Sequence, residues 1–193
     1  PFATDPALDM FNAENGPPFA ADWLARYRAA QLARNERLDR WARAQLRYIR
    51  SQPRSASDLA FIIHRTSADP RHLDLTIDPN DRPSGTIWGD PRELNYGANS
   101  IGRYTTLTSY LSQWSPSSQA DGPANLERTR CPSLLIEHTA DASVVPAMNK
   151  LWTDAGGDRM TRHVLNGATH YLAGQPRLLE ETVETVRTWV ARL

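Results

Sequence analysis

Residues 131–170 read CPSLLIEHTADASVVPAMNKLWTDAGGDRMTRHVLNGATH, and this stretch decides the fold. Two short apolar runs within it, at residues 133–136 and 163–165, are typical of buried strands. A helical segment lies between them, from about residue 145 to 155, and Gly156-Gly157 closes it. The order strand, helix, strand predicts two parallel strands joined by a crossover.

A carboxylate and an imidazole follow these two strands. Asp141 comes just after the first run, and His170 comes just after the second. The carboxyl ends of parallel strands meet at one edge of a sheet, where open α/β folds place their chemistry. A carboxylate at that edge can hold an imidazole in one tautomer and stabilise its charged form. The sequence therefore predicts Asp141 and His170 as a catalytic pair.

Composition gives bounds but no specific partner. The chain has 193 residues, with 22 basic and 22 acidic side chains, so its charge does not favour nucleic acid or an anionic membrane. No apolar run approaches the ~18 residues of a membrane span. The single cysteine, Cys131, excludes an intrachain disulfide and is compatible with a reducing compartment. We therefore expect a cytoplasmic protein.

The first half of the chain is predicted to be helical and rich in loops. A long helix is expected over residues 22–50, with Asp22 as its N-cap. Its arginines are expected to form a solvated face, not a nucleic-acid surface, because no aromatic is left over to stack on bases. The buried stripe of this helix is predicted to contain Trp23, Tyr27, Ala30, Leu38, Trp41, Ala42, Leu46 and Ile49.

Several later segments set the domain boundary. The run at residues 59–63 fits either a short helix or a strand, and residues 69–99 read as a long loop. A helix is expected over residues 101–114, and Asp121-Gly122-Pro123 marks a break. We place the domain boundary there, between residues 1–122 and 123–193. The last helix is predicted over residues 176–193, with a core stripe of Leu179, Val183, Val186, Val190 and Leu193.

Residues 124–193 resemble the C-terminal end of the α/β-hydrolase fold, whose last strands carry the acid and then the histidine of a catalytic triad. The motifs that carry the resemblance are Leu134-Leu135-Ile136, Thr139-Ala140-Asp141, Val145-Pro146 and Gly167-Ala168-Thr169-His170. Two upstream strings are similar, less specifically, to a group of bacterial α/β-hydrolases. These strings are Asn99-Ser100-Ile101-Gly102-Arg103 and Ser112-Gln113-Trp114-Ser115.

The resemblance implies a fold, an activity and two roles. The chain would be the C-terminal part of an α/β-hydrolase parallel sheet, with residues 1–122 as a helical cap inserted before the acid-bearing strand. Asp141 would be the triad acid and His170 the general base of an enzyme that cleaves an ester, thioester or related acyl bond. The sequence departs from the family at His138-Thr139, where many relatives have Gly ahead of the Asp turn.

The nucleophile is not apparent in the sequence. No Gly-x-Ser-x-Gly occurs, and Ser100 and Ser109 lack a preceding strand. In this family the nucleophile elbow and oxyanion-hole loop precede the cap, so both are expected upstream of Pro1. The first residue is Pro, and the chain is expected to be part of something longer. A Cys or Asp nucleophile, the latter as in dehalogenases and epoxide hydrolases, and a non-catalytic binding protein remain alternatives.

Cofactor and metal sites are not predicted. His64, His72 and His163 have no partner at metal-ligand spacing, and His138 is expected to be a buried polar residue or to support the site. Asp69, Asp74 and Asp78 lack the Gly and terminal Glu of an EF-hand loop and are interpreted as turn residues. The expected partner is a small acyl substrate, and its apolar part would contact aromatic side chains of the cap. These are Trp23, Trp41, Trp88, Tyr104 and Trp114.

Overall fold

The computed structural model describes residues 5–53, 57–63, 66–97 and 103–193, and the chain in it is mixed α/β. It forms two compact units. The N-terminal unit comprises Pro1–Pro70 and Asp90–Ala120, and the C-terminal unit comprises Arg71–Gly89 and Asp121–Leu193. Among the described residues, each unit contains one two-stranded sheet, antiparallel in the first and parallel in the second.

The N-terminal unit is built around one long helix. Its core contains Ala42, Leu46, Ile63, Leu107 and Tyr110, which are all buried. A short 3-10 helix, Pro6–Leu8, precedes the long one. The elements that follow are α1 (Ala21–Ser51), β1 (Ala60–Ile63), α2 (Pro91–Tyr96), β2 (Arg103–Thr106) and α3 (Leu107–Gln113).

Helix α1 matches the predicted span closely, but its N-cap lies two residues earlier than predicted. Ala20 is the N-cap, in an extended conformation and without a side-chain hydrogen bond. Asp22, predicted as the N-cap, lies instead in the first turn, where a carboxylate still interacts favourably with the helix dipole. The buried face is narrower than predicted, since Trp41 is 41% exposed. The residues of α1 that are buried are Trp23, Tyr27, Ala42 and Leu46.

The antiparallel sheet settles one open alternative and corrects one prediction. Of the two interpretations of residues 59–63, the strand is the right one. The helix predicted over residues 101–114 begins only at Leu107, because Arg103–Thr106 pairs with β1 in the register Ala60↔Thr106. β-branched threonines at 105 and 106 favour a strand. Thr106 then caps α3 by accepting a hydrogen bond from the Ser109 amide at 3.3 Å.

Asp39 connects α1 to the segment after α3. Its carboxylate accepts hydrogen bonds from Arg43 Nε at 2.8 Å and from the hydroxyls of Ser115 and Ser117. The Arg43 hydrogen bond, helped by the two hydroxyls, holds the pKa of Asp39 below its usual value. This contact therefore stabilises the fold at pH values above the unfolded-state pKa of Asp39. The stabilisation is lost as the pH falls through the folded-state pKa of the same group. Because Arg43 is partly exposed, solvent screens this contact and its contribution to stability is small.

The C-terminal unit contains the predicted strand, crossover helix and strand. Strands β3 (Ser133–His138) and β4 (Met160–Leu165) are parallel, in the register Ser133↔Met160 to His138↔Leu165. The crossover passes through α5 (Pro146–Gly156) and a short 3-10 helix, Gly157–Arg159. The elements are α4 (Gly122–Glu127), β3 (Ser133–His138), α5 (Pro146–Gly156), β4 (Met160–Leu165) and α6 (Pro176–Val190).

Residues 71–89 belong to the C-terminal unit, whereas the sequence placed them in the 1–122 region. Two kinds of contact hold them there. The Asp81 amide donates to the Thr139 carbonyl at 2.8 Å, and the Asp78 carboxylate accepts from the Ala147 amide at 3.1 Å. The second contact satisfies an amide in the first turn of α5 that has no partner within the helix. These long-range hydrogen bonds, which a sequence pattern does not encode, decide the grouping.

Helix α6 departs from its predicted packing. The stripe predicted to be buried is largely exposed, and the helix ends at Val190. Amphipathic spacing predicts which residues share a face, but not whether anything covers that face. The exposed fractions are 52% for Leu179, 60% for Val183, 41% for Val186, 54% for Val190 and 71% for Leu193.

This exposed face leads to a prediction about the isolated chain. Parallel strands normally need cover on both faces of their sheet, so we expect the isolated chain to bind an apolar dye strongly and to associate or unfold without a sharp transition. Leu179→Gln with Val183→Gln should lower the dye fluorescence at least about twofold, since it removes part of the apolar face. Glu180→Gln, on the same helix, is the matched control. A soluble monomer with one sharp unfolding transition and no dye binding would contradict this expectation.

Candidate active site

Two loops leave the parallel sheet at the same edge. Strand β3 ends at His138 and β4 ends at Leu165, and these two residues are partners in the register. The loops that follow, residues 139–145 and 166–175, therefore leave the sheet side by side. Asp141 lies on the first loop and His170 on the second, as the strand order predicted.

The Asp141 carboxylate is buried and oriented by the backbone around it. Its exposed fraction is 5%. One oxygen, Oδ1, accepts hydrogen bonds from the amides of Ser143 at 2.6 Å and Val144 at 3.0 Å. The other oxygen, Oδ2, lies 2.9 Å from His170 Nδ1. Since Oδ1 is anchored by two amides, Oδ2 is directed at the imidazole.

The His170 ring is positioned for proton transfer on its open side. Since a buried carboxylate accepts at Nδ1, we assign the Nδ1–H tautomer, which leaves Nε2 with its lone pair. Nε2 has no hydrogen-bond partner among the described residues. The His170 side chain is 30% exposed, and the Tyr171 ring contacts it edge-on with ring centroids 4.6 Å apart. The predicted convergence of Asp141 and His170 is confirmed.

Hydrogen bonds between the two loops fix this arrangement. The Thr139 amide donates to the Leu165 carbonyl at 3.2 Å, and the Ala140 amide donates to the Ala168 carbonyl at 3.0 Å. The Gly167 amide donates to Thr139 Oγ1 at 2.8 Å. Gly167 has φ +73°, a left-handed conformation that glycine adopts without strain. The two strands thus continue to be connected beyond the end of the sheet.

His138, the last residue of β3, supports the second loop. Its Nδ1 lies 2.9 Å from the carbonyl oxygen of Thr169, the residue before His170. A carbonyl can only accept, so Nδ1 of His138 is the donor. The expectation that His138 supports the site agrees with this contact.

Gln175 also orders the loop that carries His170, a role that the sequence analysis does not predict. Its side-chain Oε1 accepts from the Thr169 amide at 2.9 Å and from the Thr169 hydroxyl at 3.0 Å. Its Nε2 donates to the Gly167 carbonyl at 2.7 Å. One amide side chain therefore satisfies three groups of the loop. The only signal available was its position directly before Pro176, at the start of a helix.

We expect Gln175→Leu to loosen this loop. The substitution removes all three hydrogen bonds at similar side-chain size, so hydrogen exchange at the Thr169 amide should accelerate about 10- to 100-fold. Thr182→Ala is the matched control, because it removes one side-chain hydrogen bond within α6, to the Leu178 carbonyl. Exchange is followed by mass spectrometry on peptides that cover residues 160–175. Unchanged protection at Thr169 would show that Gln175 does not order the loop.

Residues 71–89 also hydrogen-bond to the loop that carries Asp141, here called the acid loop. Asn80 Nδ2 donates to the Asp141 carbonyl at 2.9 Å, and the Asp81 carboxylate accepts from the Thr139 hydroxyl at 2.5 Å. Arg82 is 3% exposed and donates to the Asp78 carbonyl at 2.7 Å and to Asn80 Oδ1 at 2.6 Å. From the sequence alone, this Asp- and Asn-rich stretch is interpreted only as a series of turns. The turns in fact position side chains that hold the acid loop.

The described residues place no candidate nucleophile in hydrogen-bond contact with His170. Within the described ranges, no Ser or Cys side chain hydrogen-bonds to its imidazole. Ser109 lies on α3 in the N-terminal unit, hydrogen-bonded to Thr106, and Cys131 is exposed. Ser100 lies outside the described residues.

The aromatic side chains predicted to contact an acyl group differ in their surroundings. Trp23 is buried between Phe19 and Tyr27, with ring centroids 4.5 and 4.8 Å away, so it belongs to the packing of its unit. Trp88 lies in the C-terminal unit. The four other than Trp23 are exposed to the extent of 41% for Trp41, 46% for Trp88, 76% for Tyr104 and 45% for Trp114.

The histidines and carboxylates of the described residues are dispersed with respect to metal binding. In the part of the chain that the structure describes, no three His, Cys, Asp or Glu side chains form a group that could hold a metal ion. His163 Nε2 lies 3.2 Å from Glu181 Oε1, and His64 is outside the described residues. Nor does any helix in the described ranges combine the length and the apolarity needed to cross a membrane.

Comparisons with known proteins do not assign a family. A scan against protein-family models and searches of curated proteins and of solved structures found no match to this chain. The candidate site is therefore defined by its own geometry: a buried carboxylate, an imidazole whose second nitrogen is open, and two loops that hydrogen bonds hold together.

Proposed function

We propose that this chain supplies the acid and the base of an α/β-hydrolase that cleaves an ester, thioester or related acyl bond. His170 is the general base and Asp141 the residue that orients it. The nucleophile, a serine in the first instance, and the oxyanion donors come from residues upstream of Pro1. The observation that carries this proposal is the 2.9 Å contact between Asp141 Oδ2 and His170 Nδ1.

The two ring nitrogens of His170 have different roles in the proposed reaction. Nε2 accepts the proton of the nucleophile's hydroxyl as that oxygen attacks the acyl carbon. The same nitrogen then returns the proton to the leaving group as the bond from the acyl carbon breaks. Between the two steps the imidazole carries a positive charge, and the buried carboxylate of Asp141 stabilises it.

The surroundings of the pair support a catalytic role over a structural one. A structural ion pair generally satisfies the hydrogen-bonding groups of both partners. Here the carboxylate is fully engaged, whereas the described residues give His170 Nε2 no partner. Gln175 and His138 additionally fix the backbone just before His170. Preorganisation of this kind is characteristic of residues that must meet a reacting group.

Chemistry with an Asp nucleophile is the nearest alternative. In dehalogenases and epoxide hydrolases a histidine activates the water that cleaves a covalent ester intermediate, so the same His–Asp pair would serve. Haloalkane and epoxide substrates tested beside chromogenic esters distinguish these reactions. A non-catalytic binding protein with the same fold is the second alternative.

The test compares the 193-residue chain with the longer protein that includes the upstream segment. We expect the longer protein to hydrolyse short-chain chromogenic esters and the 193-residue chain to show no turnover above buffer, because it lacks the nucleophile and the oxyanion donors. Equal activity of both proteins would place the nucleophile within residues 1–193. If the longer protein turns over none of the ester, haloalkane and epoxide substrates, the hydrolase proposal is wrong.

A further inference from the structure

Three arginines on one side of helix α1 have no partner within the described part of the fold. Arg37, Arg40 and Arg47 are exposed. Their spacings of three and seven residues are close to one and two helical turns, so they lie on the same side of the helix. Among the described residues, none of the three guanidinium groups has a hydrogen-bond or ion-pair partner. Each of them is therefore available to an anion from outside the chain.

Acidic side chains do not neutralise this side of α1. From residue 37 to the end of the helix, Asp39 is the single acid. Its carboxylate accepts a hydrogen bond from Arg43 Nε at 2.8 Å, so it is already engaged. The balanced charge of the whole chain thus conceals a local excess of positive charge, and the local potential decides which ligands approach a surface.

Two aromatic side chains are exposed on the same side of α1. Trp41 is 41% exposed and Tyr48 is 63% exposed. They follow Arg37 by four and eleven residues, at helical spacing, and lie about 10 Å apart along the helix axis. The Phe61 ring contacts the Trp41 ring with centroids 5.6 Å apart and so restrains it. The expectation that α1 leaves no aromatic side chain for stacking on bases is therefore wrong.

Together these side chains form a surface, here called the cationic face, that consists of Arg37, Arg40, Trp41, Arg47 and Tyr48. Guanidinium groups bind phosphate, and exposed aromatic rings stack on bases. We propose that the cationic face binds single-stranded nucleic acid, with its arginines on phosphates and its two rings on bases. A duplex fits less well, because its bases are stacked on one another and their faces are closed to the rings.

An anionic membrane is the nearest rival partner, and the cationic face fits it poorly. Helices that lie on membranes insert a continuous apolar face below their charged groups. Here an arginine directly precedes each aromatic residue, at positions 40–41 and 47–48, so the exposed apolar groups are interrupted by charge. Cations interleaved with aromatic rings are typical of sites for single strands.

The test titrates the 193-residue chain into a fluorescent oligothymidylate of about 12 nucleotides and follows its anisotropy. The cationic face belongs to the N-terminal unit, so the result does not depend on the proposed hydrolysis. We expect a Kd below about 100 μM, and a slope of about −2 for log affinity against log salt concentration, from three phosphate contacts at about 0.7 each. An abasic oligomer of the same length keeps the phosphates and should bind at least about fivefold more weakly. An oligouridylate of the same length distinguishes RNA from DNA as the preferred strand.

The arginines are tested together in one variant. Arg37→Gln, Arg40→Gln and Arg47→Gln combined should weaken oligothymidylate binding at least about tenfold and remove most of its salt dependence. Gln and Arg have similar helix propensities, so α1 should persist. The matched control replaces three exposed arginines of the C-terminal unit by Gln and changes the net charge equally, yet it should stay within about twofold. These three are Arg128, Arg130 and Arg177.

Tyr48→Ala tests the stacking on bases. This variant should bind oligothymidylate about 5- to 100-fold more weakly and leave binding of the abasic oligomer unchanged. Tyr104→Ala is the matched control, since Tyr104 lies on β2 in the same unit and is 76% exposed. It should bind both oligomers within about twofold of the unmodified chain.

Circular dichroism and thermal unfolding establish that each variant is folded. Both triple variants keep the apolar face of α6, so association of the chain affects them alike. Absence of binding up to about 100 μM, equal losses in the two triple variants, or equal binding of abasic and base-bearing oligomers overturns the proposal. Stronger binding to phosphatidylserine vesicles than to oligothymidylate, dependent on the same three arginines, would assign the surface to a membrane and overturn it as well.

Discussion

Replacement of His170 by Ala in the longer protein is expected to lower kcat/KM for an activated acyl ester by at least about 10⁴-fold. The physical reason is the position of the ring. Nε2 is the only acceptor on the imidazole, because Nδ1 is engaged by Asp141 Oδ2 at 2.9 Å. Without the ring, no general base takes the proton from the nucleophile, and the leaving group receives none. The measurement is the initial rate over a range of ester concentrations.

His163→Ala is the matched control for this prediction. His163 lies on β4, ahead of the loop that carries His170, and its Nε2 contacts Glu181, on α6, rather than the Asp141 carboxylate. We expect this variant to stay within about threefold of the unmodified protein, as is usual for positions outside an active site. If His170→Ala leaves the rate intact while the unmodified protein is active, His170 is not the base.

The second large effect is expected for Asp141→Asn, again about 10⁴-fold in kcat/KM. Asn is close to isosteric with Asp, and its carbonyl oxygen can still accept from the amides of Ser143 and Val144. The fold of the loop should therefore persist. The group that then faces His170 is the amide NH₂ of the new Asn. Because this NH₂ donates a hydrogen bond to Nδ1, it favours the His170 tautomer that carries its proton on Nε2. The base then has no lone pair at the reacting side, and its charged form loses its partner.

The kinetic signature of Asp141→Asn separates this role from a structural one. Because the interaction matters only when the imidazole is charged, kcat should fall with little change in KM. Asp158→Asn, in the short helix after α5, is the control and should leave both parameters within about twofold. A large rise in KM together with a lowered unfolding temperature would mean that Asp141 serves the fold of the loop rather than catalysis.

The centre of the C-terminal unit could be predicted because its signals are local in sequence. Two apolar runs, a helix between them and glycines at its end were enough to predict β3, α5 and β4. The rule that such strands are parallel then placed Asp141 and His170 at one edge. That convergence did not require knowledge of any long-range contact.

Elements that depend on distant partners could not be predicted in this way. Residues 103–106 have helical spacing together with the following segment, yet they pair with β1, which lies forty or more positions earlier. The contribution of residues 71–89 depends on hydrogen bonds from Asn80 and Asp81 to a loop some sixty positions later. Gln175 acts through three contacts within its own loop, but a single amide side chain leaves no pattern in a sequence.

The stripe on α6 shows a different limit. Its spacing predicts an apolar face correctly, since Leu179, Val183, Val186 and Val190 share one side of the helix. Burial of that face depends on another surface, and the sequence of the helix contains no information about it. In the structure these four residues are exposed.

The most direct test of the proposed relay is a double-mutant cycle of Asp141→Asn and His170→Ala in the longer protein. If Asp141 acts only through the imidazole, its substitution has nothing further to remove once His170 is gone. The double variant should then be as slow as His170→Ala alone, within about threefold, and the two losses should be far from additive. Independent, multiplicative losses, or an unmodified protein without hydrolytic activity, would contradict a His170–Asp141 relay.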